Sequence, residues 1–313
     1  MVSAVFHSPL EPLPVPPQEA TKSIAIRACP ASVKGQKHLK TTTTPWVAHR
    51  WTALSRAFWQ RVLPPACGLA LLLGLWALVS ASTGRSIPGP QETWLQALEV
   101  FHDPFYRNGP NDQGVGWNVL MSLQRVAIGF GLAALVGIPA GFAIGRFTFL
   151  ARMFNPLIGL LRPVSPLAWL PIGLLAFKGA NPAAIWTIFI CSIWPMVINT
   201  ATGVQRVPQD YLNVARVLQL SEWKVLTRIL FPSVLPYMLT GVRLAVGTAW
   251  LVIVAAEMLT GGVGIGFWVW DEWNNLNVKN IIIAIFVIGI VGLALEYALI
   301  RLATALTFDE VKA

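Results

Sequence analysis

Charge is scarce in this chain of 313 residues. Only 12% are Asp, Glu, Lys or Arg, about half the share of an ordinary soluble domain. Over this length, such scarcity points to an integral membrane protein. Histidine is limited to His7, His38, His49 and His102, and cysteine to Cys29, Cys67 and Cys191. Neither set has the spacing of a metal site, and three scattered cysteines make no disulfide framework. No G-x-x-x-x-G-K-[ST] is present, so the sequence has no phosphate-cradling loop of that type. No Ser–His–Asp constellation can be argued, because every histidine lies outside the apolar runs. A membrane enzyme is therefore a poor fit. The net charge of +9 could suggest nucleic acid. The positive residues flank apolar runs instead of forming one patch, so no nucleic-acid partner is expected.

Apolar sequence is abundant: 55% of residues are hydrophobic and the mean hydropathy is +0.61. Six candidate membrane helices follow, at roughly 63–83, 118–145, 155–177, 182–203, 238–260 and 281–303. Each reaches or approaches the ~20 residues that cross ~30 Å of hydrocarbon. The third holds Pro163, Pro166 and Pro171, and survives in lipid only where neighbours or water satisfy the freed carbonyls. The expected organisation is a disordered basic tail over 1–61, a membrane domain over 62–308 and a short tail over 309–313. The charged N-terminal segment is too long for a cleaved signal peptide.

Lys and Arg set the expected orientation. Eight lie within residues 1–61. Arg146, Arg152, Arg206, Arg216, Lys224, Arg228, Arg301 and Lys312 fall on the same side if there are six spans. Arg85, Arg107, Lys178 and Lys279 fall on the other. Both termini are thus expected in the cytoplasm.

One polar interruption stands out between the fourth and fifth spans: VPQDYLNVARVLQLSEWKVLTRILFPSVLP, residues 207–236. Pro208 suits a first helical position and Asp210 a first turn. Ser221 can cap a second helix with Glu222 in its first turn. Pro232 and Pro236 are expected to stop that helix before the next span. The result is an amphipathic, basic helix–turn–helix elbow on the cytoplasmic surface. Two readings stay open on these residues alone. The elbow is a solvated or lipid-resting connector, or it docks into a groove of a soluble partner.

The elbow resembles the cytoplasmic loop of binding-protein-dependent ABC importer permeases. That loop reads Glu-Ala-Ala, three residues, Gly, nine residues, then Ile-x-Leu-Pro. Here Asn213-Val214-Ala215 takes the triplet, Gln219 the glycine and Ile229-Leu230-Phe231-Pro232 the last block. The spacing matches, but Glu and Gly are replaced. The resemblance runs from about Trp94 to Phe308. The segments SLQRVAIGF, RPVSPLAWLPIGLLAF, TGVRLAVGTAWLVIVAAEML and GIGFWVWDEWNNLN are similar to the branch importing nitrate, bicarbonate, cyanate and sulfonates, nitrate permeases above all.

The resemblance implies an all-α, polytopic, six-helix type I importer bundle with a coupling helix, in a bacterial inner membrane. It implies Asn213, Ala215, Arg216, Gln219, Ser221, Glu222 and Lys224 as the coupling surface for a cytoplasmic ATPase. Partner subunits would bind ATP and Mg, with no cofactor in this chain. A second copy of the permease would complete the pathway, and an external binding protein would deliver a small anion. Other readings are a self-sufficient secondary transporter, which typically needs internal repeats and midplane ion groups, and a membrane-anchored scaffold.

Charged groups inside the spans need partners, water or shallow positions. By depth, Arg125 could meet Glu257, and Glu296 could meet Arg162 or Arg243. Arg125, Glu257, Thr248 and Trp250 are candidate pathway residues for an anion. Structural pairing and helix packing are the competing readings. Gly137, Gly141 and Gly145 form a small-xxx-small face for close helix approach, either between two copies or within one. The run GGVGIGF at 261–267 is read as a flexible outer bend. Trp268, Trp270 and Trp273 are read as interfacial anchors or as a landing surface for the binding protein.

Overall fold

Helices account for the architecture of this protein, seen here in a computed structural model that describes residues 46–84 and 86–308. The expectations for residues 1–45 and 309–313 lie outside the described residues. By internal contacts the chain divides after Val62, and the interactions below belong to the unit that follows. Helix α1 (Trp46–Ser82) is succeeded by α2 (Pro90–His102), α3 (Val115–Arg146), α4 (Thr148–Leu161), α5 (Pro166–Phe177) and α6 (Ala180–Gln205). Then come α7 (Gln209–Val217), α8 (Glu222–Val225), a π-helical turn (Leu226–Leu230), α9 (Phe231–Thr260), α10 (Ile265–Asn274) and α11 (Val278–Phe308). No strand occurs among the described residues. Helix α1 begins at Trp46, so residues 46–61, expected as tail, are helical.

Among the described residues, five helices are long and apolar enough to cross a membrane: Val62–Ser82, Val115–Arg146, Ala180–Gln205, Glu222–Thr260 and Val278–Ala305. The expected third span, 155–177, is instead a bent pair. Helices α4 and α5 meet at 99° across residues 162–165. The cause is local. Pro163 has no N–H to donate. Pro166 pushes Ser165 out of the helical region, to ψ 134°. Pro166 then opens α5 at its first position, where a missing N–H costs nothing. With 14 and 12 residues, the two helices are ~21 and ~18 Å long, so neither crosses the hydrocarbon alone.

Helices α3, α6 and α9 form the centre, and glycine sets their spacing. A Cβ at Gly141 would lie 2.7 Å from Thr200 Cβ and 2.9 Å from the Val197 carbonyl oxygen. One at Gly145 would lie 2.6 Å from Val204 Cβ, and one at Gly241 2.9 Å from the Pro195 oxygen. The Gly137–Gly141–Gly145 face therefore serves packing within one subunit, where α3 lies against α6. Ala133, Ile188, Ala245, Ala249 and Ile253 fill the remaining contacts and are fully buried. Helix α1 is marginal, with Leu71 and Leu78 exposed. It is tied by the Trp76 indole, whose N–H donates to the Pro88 oxygen at 3.0 Å.

Candidate functional site

The elbow is built by a helix stop followed by a rigid restart. Pro208 is the N-cap of α7 rather than its first residue, with ψ 134°. The helix ends in a Schellman turn. The Leu220 N–H donates to the Ala215 oxygen at 3.0 Å and the Gln219 N–H to the Arg216 oxygen at 3.0 Å. Gln219 sits in the left-handed region at φ 50°. Glycine, which the resemblance implies at this position, adopts that conformation without a Cβ penalty. Ser221 occupies the N-cap of α8, but its side chain makes no capping bond.

Pro232 and Pro236 do not stop the helix. Residues Glu222–Thr260 run as one 39-residue helical span. The π turn just before Pro232 carries a wider bonding pattern, in which the Phe231 N–H donates to the Leu226 oxygen. A π turn accommodates proline by displacing the carbonyls its ring would strike.

Burial sorts the expected coupling residues into two groups. Ala215 is 2% exposed and packs with Val207, Val225, Leu230 and Val234. It seats the elbow against α6 and α9 and offers nothing to a partner. Asn213, Arg216, Gln219, Ser221, Glu222 and Lys224 are all exposed. Glu222 also pairs with Arg146 at the end of α3, at 3.3 Å. Sequence reasoning missed the apolar row beside them: Tyr211, Val214, Val217 and Leu218 are exposed, Val217 at 82%. Their spacing of three, four and seven residues was the available signal. Next to the elbow, an apolar cavity of ≈ 610 Å³ opens between α3 and the π turn, lined by Pro139, Phe142, Trp223 and Phe231 among others.

At the opposite end of the bundle, Arg125 and Glu257 come together as their depths suggested. The Arg125 Nη1 donates to Glu257 Oε1 at 2.5 Å and to the Val263 oxygen at 2.7 Å. Its Nε donates to Asn181 Oδ1 at 2.8 Å. Glu257 is 1% exposed. Ser122 Oγ lies 2.7 Å from Glu257 Oε2 and also accepts the Ile265 N–H at 2.9 Å. Asn118 Oδ1 accepts the Gly264 N–H at 2.9 Å, and Glu257 Oε2 the Gly266 N–H at 3.0 Å. Three side chains of two helices thus satisfy the orphan donors that open α10. The expected flexible bend is a tight seat instead. A Cβ at Gly266 would lie 2.1 Å from the Val254 oxygen, and one at Gly264 2.4 Å from Glu257 Cδ.

The other two candidates lie elsewhere. Trp250 is 4% exposed, and its indole N–H donates to the Ile288 oxygen of α11 at 3.0 Å. It packs α9 on α11. Thr248, one face away, is half-buried, and its hydroxyl donates to the Leu244 oxygen at 2.9 Å. The second depth-matched pair is Arg243 with Glu296, so Glu296 takes Arg243 and not Arg162. At the α10 surface, Trp268 is buried, while Trp270 and Trp273 are exposed.

The chain is an all-α polytopic membrane protein with an amphipathic elbow at the start of its longest span. The family of binding-protein-dependent transport system inner membrane components matches residues 133–308, and the chain belongs to it. The chain is 47% identical over 243 residues to the nitrate import permease protein NrtB of Synechocystis sp., covering 78% of this chain and 88% of that one. It is 46% identical over 246 residues to the bicarbonate transport system permease protein CmpB of the same organism, covering 76% and 88%. The fold is similar to that of the MetNI methionine ABC transporter in an inward-facing conformation. The TM-score is 0.53 at 14% identity, over 60% of this chain and 94% of that one.

Proposed function

We propose that this chain is the pathway-forming subunit of an ATP-driven importer of a small inorganic anion, with nitrate as the first substrate. The observation that carries the reading is the 47% identity to a nitrate import permease over 88% of that relative's length. The seated, outward-facing elbow supports the energy-coupling half. Its exposed apolar row and basic rim suit a groove of a cytoplasmic ATPase. Its buried side is continuous with the packing of α6 and α9, so displacement of the elbow would strain the spans directly. In this reading ATP and Mg are handled by the partner subunits, and this chain catalyses no covalent step.

Two copies of the chain would enclose the path, and an external binding protein would deliver the anion to the α10 end. The elbow and both termini would then be cytoplasmic, as the distribution of Lys and Arg suggests. Bicarbonate is the second reading, favoured by the 46% identity to a bicarbonate permease. Two measurements test the proposal. Cysteine cross-linking from Ser221 or Lys224 should capture a nucleotide-hydrolysing subunit. Uptake by the reconstituted complex should require ATP and be competed by nitrate more strongly than by bicarbonate or cyanate. Transport without an ATPase subunit would overturn it.

A further inference from the structure

The pairing of Arg243 with Glu296 differs in kind from that of Arg125 with Glu257. The Arg125 side chain is 12% exposed and bonded on two of its nitrogens. The Arg243 and Glu296 side chains are 52% and 47% exposed. Arg243 Nε and Nη2 both donate to the same oxygen, Glu296 Oε1. Among the described residues Nη1 has no partner.

Depth makes this exposure informative. Arg243 lies seventeen residues before the end of α9 at Thr260, or ~25 Å at 1.5 Å per residue. Glu296 lies eighteen residues into α11, or ~27 Å. Both fall inside apolar runs, in the half of the membrane nearer the elbow. A carboxylate on so short a stem cannot snorkel as lysine and arginine do, and charges facing hydrocarbon are strongly disfavoured. The face that carries them is therefore not covered by lipid tails. Along α9 that face continues through Ser233, Thr240 and Gly247, all exposed. A Cβ on Gly247 would meet nothing within 4 Å.

We propose that Arg243 lines the translocation path and is a specificity-determining contact for the anion, with Glu296 as its resting counter-ion. The inference rests on the anion-importer reading above. Glu296 supplies what a transport site needs besides affinity. An anion that displaces the carboxylate from the guanidinium is later displaced by it, so Arg243 does not become a trap.

The test uses the complete complex with its ATPase partners, after replacement of Cys29, Cys67 and Cys191. Thr240→Cys and Gly247→Cys should react with a charged, membrane-impermeant methanethiosulfonate in open membranes, with nitrate slowing the reaction. Leu71→Cys, on the exposed apolar face of α1, should not react. Absence of reaction at both positions, with and without nucleotide, means that the face is not aqueous and overturns the proposal. Arg243→Gln should lower uptake roughly tenfold or more, the effect of losing one charge-assisted contact, at unchanged amounts of permease and bound ATPase. If that variant fails to assemble, the swapped pair Arg243→Glu with Glu296→Arg decides. Restored assembly without restored uptake supports a path role. Restoration of both reduces the pair to a structural clamp. A wild-type complex that moves no anion would sink the functional reading instead, and the thiol accessibilities would remain interpretable.

Discussion

Glu257 on α9 holds Arg125 on α3 at 2.5 Å while its second oxygen receives the Gly266 amide of α10 at 3.0 Å. One buried carboxylate therefore fastens two long helices to a third, short one. That arrangement leaves the Arg125 side chain 12% exposed, with its Nε and Nη1 occupied by acceptors of this chain. Arg125→Ala is expected to lower the amount of folded protein and the uptake rate in parallel. The cost is about 3 kcal/mol, because the partner charge is left buried and unpaired. Glu257→Gln keeps an acceptor for Gly266 and should cost less. The double variant should be less damaging than the sum of the singles, by ~1 kcal/mol or more. Thermal unfolding in detergent beside anion uptake checks this. Uptake falling well below the protein level in Arg125→Ala would return Arg125 to the path.

The seat of α10 gives a steric prediction. Gly266→Ala puts a methyl 2.1 Å from the Val254 backbone oxygen, which has no flexible end to yield. Gly264→Ala strikes the Glu257 carboxylate at 2.4 Å. Both should release α10 and with it the three capping bonds, a loss of at least ~2 kcal/mol. Gly262→Ala meets nothing within 4 Å and carries only the strain of φ 91°, so it should cost ~1 kcal/mol. Proteolysis of the 261–277 segment in membranes would report the release.

Much of this design is legible in the sequence, and the exceptions have physical causes. The apolar runs give five spans directly, because lipid leaves a backbone few choices. Helix depth pairs Arg125 with Glu257 but leaves Glu296 a choice between Arg162 and Arg243, which the packing of α9 beside α11 decides. The 155–177 run misleads because composition sees only its greasiness. Its break depends on two nearby prolines, Pro163 lacking an N–H to donate and Pro166 acting on Ser165. Pro232 and Pro236 mislead the other way, since a π turn is a cooperative backbone event that no single residue announces. GGVGIGF reads as flexible because glycine is permissive. Only the positions of Val254 and Glu257 show that closeness is what Gly264 and Gly266 provide, while Gly261 and Gly262 supply the positive φ of the bend. Trp250 could not be assigned a face without knowing where α11 lies.

Gln219 holds a left-handed backbone at φ 50° to close the Schellman turn after α7. Glycine adopts that region without the Cβ penalty of ~1–2 kcal/mol, though it loses more freedom on folding. Gln219→Gly should therefore stabilise the elbow by up to ~1 kcal/mol and leave ATPase affinity unchanged or better. Gln219→Val, β-branched, should destabilise by more than ~1 kcal/mol. Hydrogen exchange across 209–225 in the two variants resolves the difference. Equal exchange in both would mean that the turn is not strained.

The α3–α6 contact predicts a position-dependent response to one substitution. Gly141→Val meets Thr200 Cβ at 2.7 Å and the Val197 oxygen at 2.9 Å, whereas a Cβ at Gly131 meets nothing within 4 Å. Forcing the helices apart at Gly141 should cost roughly 3 kcal/mol and abolish assembly. Gly131→Val, on an open face of the same helix, should be tolerated within ~1 kcal/mol. The fraction of monodisperse protein after extraction measures both. Tolerance at Gly141 would argue that α3 and α6 are not in backbone contact.

Val217 offers the cleanest separation of fold from coupling. It is 82% exposed on α7, two residues from the buried Ala215, and no packing among the described residues explains an apolar side chain there. If the row from Tyr211 to Leu218 enters a groove of the ATPase, Val217→Asp buries an unpaired charge in that groove. Affinity should then fall at least tenfold, or ~1.4 kcal/mol. Stability of the isolated permease should change by less than ~0.5 kcal/mol, as for other exposed positions. Ala215→Asp should do the reverse, disrupting the seat formed with Val225 and Leu230 before any partner arrives. Co-purification of the ATPase, measured beside the unfolding midpoint, distinguishes the two. Undiminished capture by Val217→Asp would move the docking surface elsewhere on the elbow, toward the Glu222–Lys224 side.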